Sequence, residues 1–116
     1  MTTSEIATVL AWHDALNASD LETLVTLSSD DIDMGDPHGA AQGLEALRRW
    51  AASRPATTEL GRMYVHDGVV VVEQKAATGT ALAFRVVHDH VTSVFRHDDL
   101  ASALDATGLG EADLVT

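Results

Sequence analysis

Apolar residues recur at helical spacing through the first half of the chain and in alternation through the second, so the period changes near the middle. In "TSEIATVLAWHDALNASD", Ile6, Val9, Leu10, His13 and Leu16 share one helical face, and Thr2 and Glu5 are spaced as a capping box. A first helix is expected from about residue 4 to 17. Ser19 and Glu22 repeat the box ahead of Leu21, Leu24, Val25 and Leu27, which predicts a short second helix ending near Ser28. "GLEALRRWAAS" carries Leu44, Leu47 and Trp50 inward on a third helix, closed by Pro55.

Four segments then read as consecutive antiparallel strands: "TTELGRMYVH", "GVVVVEQKAAT", "ALAFRVVH" and "VTSVFRH". They are rich in β-branched residues and separated by turn signals at Asp67-Gly68, Gly79 and His88 to His90. "DDLASALDATGLG" predicts a last helix with an acidic start and Gly108 at its C-terminal cap. Helices first and a long antiparallel sheet afterwards imply an α+β domain, the sheet curled over the helices, with residues 1–116 forming one unit.

One stretch departs from the pattern. In "DIDMGDPHG", Ile32 and Met34 alternate with polar neighbours as a half-buried strand should, yet the next residue of that parity is Asp36. Two readings are open. Asp36 is either an acid aimed at a pocket, or a turn residue bonded to backbone amides where Pro37 stops the ladder.

Composition narrows the partners. The 46% hydrophobic content is ordinary for a globular domain, and no apolar run reaches the roughly 20 residues that span a bilayer. The first ten residues lack the basic-then-apolar order of a signal peptide, which favours a cytoplasmic location. A net charge of −11, with seven Lys plus Arg, argues against nucleic acid and anionic membranes as partners. With no cysteine, thiolate metal sites and cysteine nucleophiles are excluded. Six histidines remain, but "HDH" at 88–90 and "RHDD" at 96–99 supply no fixed third ligand; no metal and no cofactor are expected.

"ALNASDLETLVTLSSDDIDMGDP" resembles the start of ketosteroid isomerase and of the SnoaL-like polyketide cyclases, which share the nuclear transport factor-like cone fold. The resemblance implies a curved sheet wrapped on helices around one pocket. It places Asp36 where ketosteroid isomerase has its catalytic base, Trp12 where that enzyme has its oxyanion-hole tyrosine, and Leu82 where it has the protonated acid that completes the hole. Both donors are changed here. The neutral buried acid of ketosteroid isomerase is a standard case of a carboxylic acid donating to an enolate, so its replacement by Leu82 is a specific objection to identical chemistry.

Strict alternation adds candidates. With Val70, Val72, Leu82, Phe84 and Val94 inward, Gln74, Arg96 and Asp98 share the pocket face. The leading reading is an enzyme of SnoaL-like type acting on a hydrophobic carbonyl or cyclic compound. Asp36 and Arg96 are its catalytic candidates, and Trp12, Trp50, Val72, Gln74, Leu82, Phe84 and Asp98 form the substrate wall. The alternative is a non-catalytic binding or dimerisation module of the same fold. On the outer sheet face, Val71, Ala83, Val87 and Phe95 predict an apolar patch rimmed by Glu73, Lys75, Arg85 and His97, which suits a homodimer.

Overall fold

The computed structural model describes residues 2–36, 39–52, 60–75 and 80–115, with side chains described from Glu5 onward except that of Asp36. Helix α1 (Thr2–Asn17) leads through a tight turn into α2 (Leu21–Thr26), and the chain then enters strand β1 (Ser28–Asp36). A short strand β2 (Gly39–Gln42) returns beside β1, and α3 (Leu44–Ala52) follows. Four longer strands come next: β3 (Leu60–His66), β4 (Val69–Gln74), β5 (Ala81–Val87) and β6 (His90–His97). Helix α4 (Leu100–Thr107), one 3-10 turn (Glu111–Asp113) and strand β7 (Leu114–Val115) complete the fold.

The seven strands form one curved sheet in the order β2-β1-β6-β5-β4-β3-β7. The expected antiparallel meander is present from β3 to β6. The β1–β6 contact, however, is parallel, with Met34 beside Val94 and Gly35 beside Phe95. It is tied at its start by the Val91 N–H donating to the Leu27 carbonyl at 2.8 Å.

The sheet has two covered faces. Helices α1, α2 and α3 fill the concave side, where Val9, Trp12, Leu24, Ile32, Leu47, Val72 and Leu82 are at most 1% exposed. In α1 the inward stripe is rotated from the expected one: Trp12 is buried and Leu10 is 40% exposed. A tryptophan removes far more apolar surface from water than a leucine, so it takes the centre of the cone.

On the convex side α4 lies over the sheet, with Ala103 packed among Tyr64, Val71, Ala81 and Ala83. The apolar outer row expected to lie open therefore has its own cover within the chain. Val71 is fully buried, Phe95 half-buried, and Val87 44% exposed. Helix α4 ends as its sequence predicts, on Gly108 at φ 75°, with the Gly108 N–H donating to the Leu104 carbonyl. Its start is capped by Asp99, whose side chain accepts from the Ser102 N–H at 2.7 Å.

Two expected caps differ. Asp20, not Ser19, caps α2, accepting from the Thr23 N–H at 3.2 Å and its hydroxyl at 2.8 Å. Ser19 sits at φ 57°, in the turn between the helices. Glu5 lies inside α1, and its carboxylate accepts from the Gly68 N–H at 3.0 Å. It therefore steadies the β3–β4 turn, where Asp67 and Gly68 both have positive φ, as a two-residue hairpin turn requires.

Candidate functional site

Among the described residues, aromatic rings pack together at the centre of the cone. Trp12 meets Phe84 edge to face, with centroids 5.3 Å apart, and Trp50 at a tilt with centroids 6.0 Å apart. Val72, Leu82 and Phe84, expected as pocket wall, are 0–1% exposed and belong to this packed core. The resemblance sets Trp12 at the place of an oxyanion-hole tyrosine, and the sequence expects it in the substrate wall. Its indole N–H is instead given to Ser28 Oγ at 2.9 Å, and that hydroxyl donates to the Leu24 carbonyl at 2.7 Å. Indole has one donor, so Trp12 serves the core.

Gln74 shares the concave face and is 5% exposed. Its Oε1 accepts from the Thr80 hydroxyl at 2.9 Å, a bond to the start of the neighbouring strand. Asp98 lies one residue beyond the end of β6, in the bend before α4, and is exposed. Alternation ends where the ladder ends, so strand parity does not carry Asp98 onto the pocket face.

Arg96 pairs with Leu82 in the β5–β6 register, which puts it on the concave side, two residues beyond buried Val94. It is nevertheless exposed, because the helices leave that end of the sheet open. Asp36 is the last residue of β1, opposite Gly39 of β2; its side chain, with Pro37 and His38, lies outside the described residues. The β1–β6 register, continued one step past Gly35 and Phe95, sets the Asp36 backbone beside Arg96.

Beside this end of β1 a cleft of about 390 Å3 opens between β1, β2 and α3. Met34, Ala41, Ala46 and Trp50 give it apolar walls, and Gly35, Gly39 and Ala40 form its rim along the strands. Trp50, half-buried, is the aromatic residue among the sequence candidates that lines this cleft. The contribution of Gly39, Ala40 and Ala41 was not foreseen, because "GAAQ" has little intrinsic strand preference and is held as a strand by its pairing with β1. The cleft falls within the size range of small-molecule pockets, roughly 300 to 1,000 Å3, and its apolar lining suits a hydrophobic body.

The histidines take other roles. His88 and Asp89 occupy the β5–β6 turn at φ 51° and 63°, and the His90 Nδ1–H donates to the His88 carbonyl at 2.9 Å. His66 lies 3.4 Å from Asp67 and 3.6 Å from Asp113, at the surface. Among the described residues no three His, Asp or Glu side chains converge as a metal-binding set. No helix among them is long and apolar enough to cross a membrane.

Solved structures of the same architecture are numerous. An NTF2-like protein of unknown function from Cytophaga hutchinsonii superimposes with a TM-score of 0.72 at 13% identity, over 79% of this chain and 87% of that one. An LEH-like epoxide hydrolase of M. tuberculosis gives 0.72 at 16% identity, over 89% and 88%. A SnoaL-like protein of unknown function from Burkholderia thailandensis gives 0.67 at 19% identity, over 84% and 96%. At such identities the likeness is one of fold. No curated protein sequence matches the chain. The model of the SnoaL-like domain matches residues 9–101, from the middle of α1 into α4, so by sequence as well as by its helix-filled, curved sheet this chain belongs to the SnoaL-like domain family.

Proposed function

We propose that the protein binds a small, largely apolar carbonyl or cyclic compound in the cleft between β1, β2 and α3, with Asp36 as the general acid or base that acts on it. One observation carries this reading: Met34 and Gly35 on one side of Asp36, and Gly39 across the ladder from it, all line the cleft. A ligand there adjoins the backbone that bears the carboxylate. Arg96, one register step beyond Phe95, supplies a positive charge at the same end of the sheet. A neighbouring cation favours the ionised carboxylate and hence its service as a base.

A second reading, binding without catalysis, is favoured by the state of the two positions that would steady a developing oxyanion. Trp12 has spent its only donor on Ser28, and Leu82 has none to offer.

Incubation with cyclohexenone in deuterium oxide, followed by proton NMR, separates the two. The catalytic reading expects accelerated exchange of the acidic carbon-bound protons, lost by about 100-fold or more in Asp36→Asn. Amide shifts at Ala40, Ala41 and Ala46 should persist in that variant. Shifts without exchange in the wild type leave the binding module. Neither shifts nor exchange overturns both readings for this ligand class.

A further inference from the structure

The convex face carries a second depression, separated from the cleft by the thickness of the sheet. Helix α4 is seated through Ala103 on Val71 and Ala83, but one turn further along the helix the residue is Ala106, too small to reach the strands. A groove of about 350 Å3 results, with Val69, Ala83 and Phe95 as its apolar floor and Ala106 as its wall. The Phe95 ring packs over Gly35, where an added Cβ would stand 2.7 Å from it.

Three polar groups line the same groove: Arg85, Ser93 and His97. The strand register places Arg85 and Ser93 side by side across β5 and β6. Among the described residues, neither side chain makes a hydrogen bond or ion pair. The hydroxyl of Thr107, the fourth polar side chain there, is turned back to the Ala103 carbonyl at 2.8 Å. On a chain of net charge −11 with seven Lys plus Arg, the Arg85 guanidinium at an apolar groove is a local reversal of sign. Asp33 flanks Ser93 on β1 and Asp99 lies beyond His97, so the Arg85 end is the one that favours an anion.

From this arrangement we propose that the groove under α4 is a ligand site, distinct from the β1–β2–α3 cleft, for a small apolar carboxylate. The acid group pairs with Arg85 and accepts from the Ser93 hydroxyl, while the hydrocarbon body lies on Phe95 and Ala83. The volume admits an aromatic or short branched acid and is too small for a helix or a strand of a partner protein.

The test is a titration of the 15N-labelled chain with phenylacetate and, separately, with phenylacetamide, its uncharged analogue. Phenylacetate should shift the amides of Ala83, Ser93, Phe95 and Ala106 while leaving those of Ala40, Ala41 and Ala46 in place. Phenylacetamide should bind at least tenfold more weakly, and Arg85→Gln, a change at an exposed position, should reduce the preference to near unity. Ala106→Trp, also at an exposed position, should fill the groove and abolish the shifts. Shifts confined to the β1–β2–α3 cleft, equal binding of acid and amide, or retained binding in Ala106→Trp would overturn the proposal. So would groove shifts that follow protein concentration without ligand, which would mark a self-association surface instead.

Discussion

The indole N–H of Trp12 and the hydroxyl of Ser28 are joined by a buried hydrogen bond of 2.9 Å, and the Ser28 hydroxyl in turn donates to the Leu24 carbonyl at 2.7 Å. This chain of donors ties α1 to the entrance of β1 and to the last turn of α2. It also engages the one N–H that the resemblance to ketosteroid isomerase implies at the place of an oxyanion donor. Ser28→Ala leaves the indole N–H buried without its partner and is expected to cost about 1–3 kcal/mol. Trp12→Phe removes the donor itself, leaving Ser28 Oγ without its incoming bond, and opens a cavity, so it should cost more, about 2–4 kcal/mol. Urea unfolding of both variants and of the double variant measures the coupling, and additive losses would show that the bond contributes little.

Arg96 is exposed although it shares the concave face, and this sets the scale of its effect on stability. Arg96→Met is expected to cost about 0–1 kcal/mol, as for a solvated ion pair, and not the larger penalty of breaking a buried one. If Arg96 and Asp36 act as one site, the NMR titration midpoint of the Asp36 carboxyl carbon moves upward in Arg96→Met. An unmoved midpoint would separate the two residues.

Gly35 is sterically required by its neighbour. An added Cβ would lie 2.7 Å from Phe95 Cε2 and 3.0 Å from the Gly39 carbonyl oxygen, which belongs to backbone and cannot turn away. Gly35→Ala is therefore expected to destabilise the protein by about 1–3 kcal/mol and to displace the Phe95 ring. Thermal unfolding and the aromatic proton shifts of Phe95 report the two effects separately. A variant of unchanged stability would mean that the strands separate at no cost.

Asp99 caps α4, and its carboxyl is held below the ordinary value of 3.8, first by the Ser102 N–H, then by the Ser102 hydroxyl, with the positive charge of His97 assisting. A carboxylate whose pKa is lower folded than unfolded adds stability that is fully present above the unfolded value. That stability is lost as pH falls through the folded value. Asp99→Asn keeps a capping oxygen but cannot titrate. Its stability should therefore fall less steeply than that of the wild type in the range below pH 3.8, read as thermal midpoint against pH. Parallel curves would show that the cap does not contribute to acid unfolding.

Helix and strand identities were legible because they depend on local periodicity. The 3.6-residue repeat of α1 and α3, the β-branched runs of β4 to β6, and the Gly108 stop of α4 each state their element within a few residues. Ends and caps were less so. Ser19 and Asp20 are both good capping residues, and only the turn geometry, with Ser19 at φ 57°, hands the cap to Asp20. Strand β2 left no periodic trace, since a glycine, two alanines and a glutamine carry no pattern and become a strand only when β1 lies beside them.

The sequence by itself determined the α+β order of elements, the inward row of the central strands and the family to which the chain belongs. Tertiary structure decided where space is left. Whether Trp12 walls a pocket or fills the core depends on the size of the residues brought against it from β5 and α3, and Phe84 and Trp50 close the cone around it. Whether the outer row is bare depends on where α4 lands, and it lands on Val71 and Ala83. Cavities are differences between packed volumes contributed by distant segments, so they follow from register and packing, which no local pattern encodes.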